Sequence, residues 1–412
     1  MNTDYRIKVV ILAYDFQPKA NTAAQRPNAW FNYMPEMGIY PIVITKRWSS
    51  DDQSHEKTDD YEIHRLDSKY TLQEKYWIAK TGIAKVKRKI STIANYFLHT
   101  SPTFGPYGEF YDKALNVLKS TEGKKIIIAT GMPFGMFGVG YRLNKELGIP
   151  WVMDYRDDWT TSELPRRKLK KLSDILIDKH LEKKWLRTVL FFTSVSDHYV
   201  NKIGALVKGS VGYTIENGYF EEEHSEIVKV AKQEILSFVY VGSLYRSQNI
   251  DEIIDCISSV SLEQKVSCKF YFLGTPLTEA QKNRLKLAEH KYFQIIVTER
   301  MPKQKALELQ LSCQYAVMAP HKGLKGVPSS KLYEFIGARQ PVLVHPDDRD
   351  IIHHNLSSAG LGIFSDDKSS LQKNLANILN QNMELRSNDE QCEVFTRRNQ
   401  TKRLVDIIKQ SI

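Results

Sequence analysis

The sequence predicts an α/β protein built from two Rossmann-like, doubly wound parallel-sheet domains. Three observations carry this. The chain has 412 residues, comfortable for two cores and large for one. Apolar bursts of strand length alternate with helical patterns from end to end. That alternation pauses once, in the polar and acidic passage "ENGYFEEEHSEIVKVAKQEI", Glu216 to Ile235, and then restarts. The expected domains are therefore 1–220 and 221–385, joined near 218–233. The segment 386–412 has helical periodicity and no strand after it, and is expected to pack back toward the first domain.

In the first half, strands are expected at Ile7–Tyr14, Tyr40–Arg47, Lys125–Thr130, Pro150–Asp157 and Leu190–Ser196. Each is continuously apolar rather than alternating, the pattern of a parallel strand covered on both faces. Between them lie helical stretches such as "AAQRPNAWFNYMPEMG" and "FGMFGVGYRLNKELG", each stopped by glycine. In the second half the same grammar places strands at Leu236–Leu244, Lys269–Gly274, Phe293–Thr298, Gln314–Pro320, Gln340–Pro346 and Leu361–Ser365.

Composition narrows the class. Hydrophobic content of 42% and charged content of 26% are those of a soluble globular protein. Cys256, Cys268, Cys313 and Cys392 stand far apart without CxxC or Cys/His pairing, so buried free thiols in a reducing compartment are expected. No leader or membrane-span pattern is legible, and a cytoplasmic location follows as an expectation. The eleven histidines form no metal set in sequence, and His353–His354 look like helix surface.

The most informative stretch is "KGLKGVPSSKLYEFIGARQPVLV", Lys322 to Val344. A helix is expected over Ser330–Gly337, following the strand Gln314–Pro320. Its N-terminus then lies at the carboxyl end of a parallel strand, where exposed N–H groups favour phosphate. Ser329 or Ser330 would cap it, and Lys331 would add a positive charge suited to a diphosphate. Glu334 fits neither capping-box register, since that position falls on Leu332 or Tyr333. It follows Lys331 by three residues and shares its helix face. Spacing leaves two readings: a solvated Lys/Glu pair, or a carboxylate that accepts both hydroxyls of a ribose.

This stretch resembles the corresponding helix of GT-B glycosyltransferases, in particular the retaining glycosyltransferase family 4 (group 1) and its polysaccharide and O-antigen branch. The resemblance runs through about 400 residues: "YDFQPKANTAAQRPNAWFNYMPEMGIYPIVIT", "TGMPFGMFGVGYRLNKELGIPWVMDYRDDW", "IENGYF" and "VYVGSLYRSQNIDEIIDCI" occur in the family's order. It implies a GT-B fold with an interdomain cleft, an N-terminal acceptor domain and a C-terminal donor domain. It implies that Glu334 holds the nucleotide ribose. Ser329, Ser330, Lys331, Val327, Gly242 and Arg246 would surround the donor, with Lys331 helping catalysis by stabilising the leaving diphosphate. Asp157 of "MDYRDDW" becomes a catalytic or acceptor-binding carboxylate; the residues alone also allow an N-cap. Asn21, Thr22, Arg26 and Gly131 would line the acceptor side of the cleft. For Arg26, an anion contact and a surface helix arginine remain equal alternatives.

Four departures from the family pattern stand out. The first turn carries alanine and asparagine where glycines are usual. Ser243 and Gln248 occupy the places of an arginine and a lysine, leaving Arg246 to supply the cation. The first of two paired glutamates would fall at Gly326. No histidine follows "ATGMPFG".

The net charge of +10 is concentrated in "KTGIAKVKRKISTIANYF" and "LPRRKLKKLSDILIDKHLEKKWLRTVLFF". Without a nucleic-acid motif, these basic amphipathic stretches suit an anionic membrane surface, or are plain solvated faces. The expected activity is transfer of a hexosyl or N-acetylhexosaminyl group from a nucleotide-diphosphate sugar to a hydroxyl of a saccharide, lipid-linked, in polysaccharide assembly at the inner face of the plasma membrane. No metal is expected, because no DxD-type acidic pair is found near a donor loop. The alternatives are a degenerate GT-B protein that binds a nucleotide sugar or a partner, and a nucleotide-sugar epimerase.

Overall fold

The computed structural model describes residues 7–19, 21–49, 51–67, 86, 107–163, 172–225, 230–245 and 247–412. The chain forms two units, Met1–Glu216 with Gln400–Ile412, and Asn217–Asn399.

Runs of Ile and Val with no polar alternation make the buried central strands of the first unit, whose sheet has eight strands. These are β1 (Ile7–Leu12), β2 (Ile39–Lys46), β3 (His55–Lys57), β4 (Glu62–Leu66), β5 (Lys124–Gly131), β6 (Trp151–Tyr155), β7 (Phe191–Ser194) and β8 (Gly212–Thr214). Their order in the sheet is β3-β4-β2-β1-β5-β6-β7-β8. All pairs are parallel except β3 with β4. Every residue of β2 and β6 is buried, as strands covered on both faces require. The helices are α1 (Thr22–Tyr33), α2 (Gly108–Ser120), α3 (Gly135–Leu147), α4 (Leu172–Leu186) and α5 (Asp197–Gly204).

The β3–β4 hairpin is absent from the sequence reading. Its residues are short, polar and charged, so no apolar pattern announces them. On it, burial pushes the His64 imidazolium down to about 4, with the nearby Lys113 acting in the same direction.

The second unit has a six-stranded sheet in the order β11-β10-β9-β12-β13-β14. The strands are β9 (Leu236–Val241), β10 (Cys268–Leu273), β11 (Phe293–Val297), β12 (Tyr315–Met318), β13 (Val342–Val344) and β14 (Gly362–Phe364), all parallel. Its helices are α6 (Glu221–Ser225), α7 (Asp251–Gln264), α8 (Glu279–Lys286), α9 (Lys303–Ser312), α10 (Ser330–Gly337), α11 (Ile351–Ser358), α12 (Lys368–Leu379) and α13 (Asp389–Val394). Two hydrophobic layers cover the faces of the sheet. One is built with Ile253, Ile257, Leu371 and Leu375, the other with Leu332, Phe335, Ile336 and Leu356. The expected strands all occur, with ends shifted by up to three residues; β9 and β13 are shorter because turn residues such as Gly242 and Pro346 leave the ladder.

The last helix, α14 (Arg397–Ser411), joins the first unit from Gln400 onward. Leu404, Val405 and Ile408 sit in the same core as Val9, Ile11 and Phe31. Lys409 donates to the carbonyl of Met37 at 2.8 Å. All four cysteines are free and buried, as their spacing predicts.

Candidate functional site

In the second unit, the loop after β12 leads into α10. Its buried Leu332, Tyr333, Phe335 and Ile336 fix the helix against the sheet, leaving Lys331 and Glu334 on the other face. The N-cap is Ser329, whose hydroxyl accepts from the Lys331 N–H at 3.3 Å. With that register the capping-box position is Leu332, so Glu334 has no part in capping. Lys331 Nζ and Glu334 Oε2 are 2.5 Å apart, and the two side chains retain 32% and 18% exposure. A carboxylate and an ammonium therefore stand together, accessible, in the first two turns of a helix at the carboxyl end of a parallel strand. Helix N–H groups and a cation there stabilise an anion, and the carboxylate offers acceptor oxygens to hydroxyls. Ser330 and Val327 are half-buried beside it.

The loop after β9 is tied to the same end of the sheet. Gly242 has φ +95°, a left-handed conformation that favours glycine, and Thr275 donates to its carbonyl at 2.7 Å. Gln248, which stands where a lysine was expected, is a fastener. Its Oε1 accepts from the Tyr240 hydroxyl and the Tyr245 N–H, at 3.1 and 3.0 Å, and its Nε2 donates to the Ala319 carbonyl at 2.7 Å. An ammonium could not accept those two bonds. Ser247 meets His321 Nδ1 at 2.7 Å, and burial lowers the His321 pKa, which favours the neutral imidazole. Arg246 lies outside the described residues.

Gly326, the place of the missing glutamate, has φ +68°, and its N–H is capped by the Asp350 carboxylate. A glutamate there would be strained, so the local backbone accounts for the departure. Asp350 belongs to "PDDRD", which holds the spaced acidic pair that the sequence reading did not find near a donor loop. These carboxylates face backbone donors instead. Asp348 accepts from the N–H groups of Asp350, Ile352 and His353 at 3.2, 3.3 and 3.1 Å, and burial raises its pKa. Asp347 pairs with His353 Nδ1 at 2.8 Å, so His353 is a partnered side chain rather than plain helix surface.

In the first unit, Asn21 caps α1 by accepting from the Ala24 N–H at 2.9 Å, and Thr22 is exposed beside it. Arg26 is a correction. It is neither an anion contact nor a surface arginine, being only 2% exposed. Its guanidinium lies 2.8 Å from Asp154 Oδ1 and donates to the Ile215 carbonyl at 2.7 Å. Asp154 is fully buried and also accepts from Thr130 and Thr193, at 2.8 and 2.7 Å. This network ties α1 to β5, β6, β7 and the end of β8. Gly131 is corrected in the same sense: it is buried, and a Cβ there would come within 2.7 Å of Phe134 and 2.9 Å of Phe137. It serves close packing rather than a ligand surface.

Arg156 belongs to the same motif as Asp157 and has a structural role. Pro27 lacks the N–H that would bond the Ala23 carbonyl inside α1. Arg156 replaces it, donating to Ala23 O at 2.7 Å, and also grips the carbonyls of Gly131 and Met132. The signal was legible: a proline inside an apolar-periodic helix orphans one carbonyl. Asp157 follows on an exposed bend, and no helix begins there, so it is not an N-cap. Asp158, its neighbour, is buried, with Lys202 Nζ 3.6 Å away.

A parallel six-stranded sheet in one unit and a parallel-dominated eight-stranded sheet in the other are the two sheets of a GT-B fold, matched over the full length of known structures. Sucrose-phosphate synthase from Thermosynechococcus elongatus superposes with a TM-score of 0.61 at 13% identity, covering 98% of this chain and 99% of that one. Trehalose-6-phosphate from E. coli bound with UDP-2-fluoro glucose gives 0.54 at 10% identity, with coverage of 98% and 96%. A putative UDP-N-acetylglucosamine 2-epimerase from Listeria monocytogenes gives 0.51 at 12% identity, with the same coverage. No family model and no curated protein sequence matches this chain.

Proposed function

We propose that this protein is a retaining glycosyltransferase. It transfers a hexosyl or N-acetylhexosaminyl group from a nucleotide-diphosphate sugar to a hydroxyl of a lipid-linked saccharide in cell-surface polysaccharide assembly. The observation that carries this reading is the Lys331–Glu334 pair, accessible on the first turns of α10 at the carboxyl end of β12. Glu334 would accept the ribose hydroxyls. Lys331 and the N-terminal end of α10 would hold the diphosphate and stabilise the charge it gains as the glycosidic bond breaks. Ser329, Ser330, Val327, Gly242 and Arg246 complete the donor side. Asp157, with Asn21 and Thr22, serves the acceptor from the first unit. Such a mechanism needs no metal, because preorganised N–H groups and an ammonium take the role of one.

The decisive experiment measures nucleotide-diphosphate release from a panel of UDP-, GDP- and other activated sugars, with wild type beside Glu334→Ala. Release from one donor, lost in the variant, supports the reading. Failure of every donor to be cleaved or bound would end it. Gly326 favours a second reading, a degenerate protein that binds a nucleotide sugar without turnover; saturable binding with no release for any acceptor would select it. The epimerase alternative has a fold neighbour in its favour; among the described residues the titratable pair on α10 is Lys331–Glu334, which the donor reading already uses.

Peripheral attachment to the inner face of the plasma membrane is part of the proposal. The basic stretch 80–97 lies outside the described residues except Val86, as does 164–171. The described α4 supports attachment by an inverted face: Asp178 and Glu182 are buried while Ile175, Leu176 and Ile177 are exposed. Among the described residues no helix is long and apolar enough to cross a membrane. Sedimentation with anionic vesicles, declining as salt rises, is expected. Absence of binding at low salt removes this part alone.

A further inference from the structure

The β3–β4 hairpin at the edge of the first sheet brings together three side chains that no motif connects. His55 and His64 are direct cross-strand partners, and their rings stack at 4.5 Å with planes 6° apart. Glu62, two residues before His64, turns to the same face. Its Oε1 lies 3.2 Å from His55 Nε2 and 2.7 Å from His64 Nε2. These three ligand atoms all fall within 4.8 Å of one another.

Hydrogen bonding does not account for His64. The residue is 4% exposed, and neither of its ring nitrogens has a hydrogen-bond partner. Although His64 Nε2 lies close to the carboxylate, the alignment is not that of a donor with its acceptor. A buried imidazole held only by a poorly aligned contact loses hydrogen bonds it would make in water, so its placement calls for an explanation. Two imidazole nitrogens and one carboxylate oxygen gathered within 4.8 Å of one another supply it, given a rotation of the stacked rings that turns both lone pairs toward a shared ion. Ligands of one tetrahedral zinc, each about 2.0–2.1 Å from the ion, stand about 3.3 Å apart. The other oxygen of the carboxylate, Oε2, faces Lys57 Nζ at 3.3 Å, which leaves Oε1 as a single ligand atom.

We propose that His55, Glu62 and His64 form a binding site for a divalent metal ion of the zinc class, with a water in the fourth position. Two imidazoles and a carboxylate suit zinc and its neighbours rather than calcium or magnesium, which prefer all-oxygen sets. The ion would clip the three-residue edge strand β3 to β4. The cationic Lys57 and Lys113 near the site argue for moderate rather than extreme affinity. None of the three ligands belongs to the proposed donor or acceptor sites, so metal binding and sugar transfer can fail separately.

The test uses the full chain without a histidine tag, stripped with chelator and titrated with Co(II), then with Zn(II). One equivalent is expected, giving visible bands of tetrahedral intensity that zinc abolishes. His55→Ala, an exposed position, and Glu62→Gln are each expected to weaken binding roughly tenfold or more, as loss of one ligand requires. Both variants should match the melting temperature of the metal-free wild type, while zinc raises that temperature in the wild type alone. A His353→Ala/His354→Ala variant should bind as the wild type does. Absence of a bound equivalent, or an equivalent that survives both His55→Ala and Glu62→Gln, overturns the proposal.

Discussion

Arg26–Asp154 and Lys331–Glu334 invite comparison. Each couples a cation from the early turns of a helix with a carboxylate, at the carboxyl end of a parallel sheet. In the first unit the pair is 2% and 0% exposed, with the Ile215 carbonyl on the guanidinium and the Thr130 and Thr193 hydroxyls on the carboxylate. In the second it keeps 32% and 18% exposure, and the two side chains pair with each other. The same chemistry thus serves as a bolt in one unit and as an open site in the other. The difference lies in surroundings: Asp154 sits inside β6 between two sheet neighbours, whereas Glu334 lies on the outward face of a short helix.

Asp154→Ala should produce the largest effect. It leaves the buried Arg26 guanidinium without its carboxylate, which removes about 3–5 kcal/mol of stability. Urea unfolding of the two variants side by side reads this directly, and a loss below about 1 kcal/mol would erase the contrast. Glu334→Ala should do the reverse. An accessible i,i+3 pair contributes at most about 0.5 kcal/mol to folding. Charge-assisted hydrogen bonds to a ribose, at about 1.5–3 kcal/mol, correspond to roughly 10- to 150-fold in nucleotide affinity. Calorimetry on a folded variant with unchanged affinity would remove the donor-site assignment.

Asp157→Asn sharpens the first unit's side of the comparison, because this exposed carboxylate is the neighbour of a buried network. Turnover should fall with melting temperature unchanged; a fall in both would make Asp157 part of the bolt. The smallest effect concerns the thiols. Burial pushes Cys268 up to about 12 and Cys313 up to about 11, so at pH 8 both remain protonated and unreactive. Thiol reagents should label neither in the native chain and all four cysteines after denaturation. Rapid native labelling at either position would contradict this.

Continuous apolar runs such as "KVVIL" and "KIIIAT" have no stable place except a sheet covered on both faces, so eleven strands were legible without any coordinates. The helix Ser330–Gly337 and the odd placement of Glu334 were legible for the same reason: caps and periodicity are local properties. What sequence alone missed was contact between distant segments. Arg26 reads equally as an anion contact or a surface arginine until β6 and β7 bring Asp154 and Thr193 around it. Gly326 reads as a lost glutamate until its positive φ and the Asp350 cap appear. His55 and His64 read as scattered histidines until an antiparallel register, set by a turn with no apolar signature, stacks them. Local sequence determined which elements form and where their ends point; tertiary structure decided which charges are buried and which remain free to act, because desolvation depends on everything packed around a group and not on its neighbours in the chain.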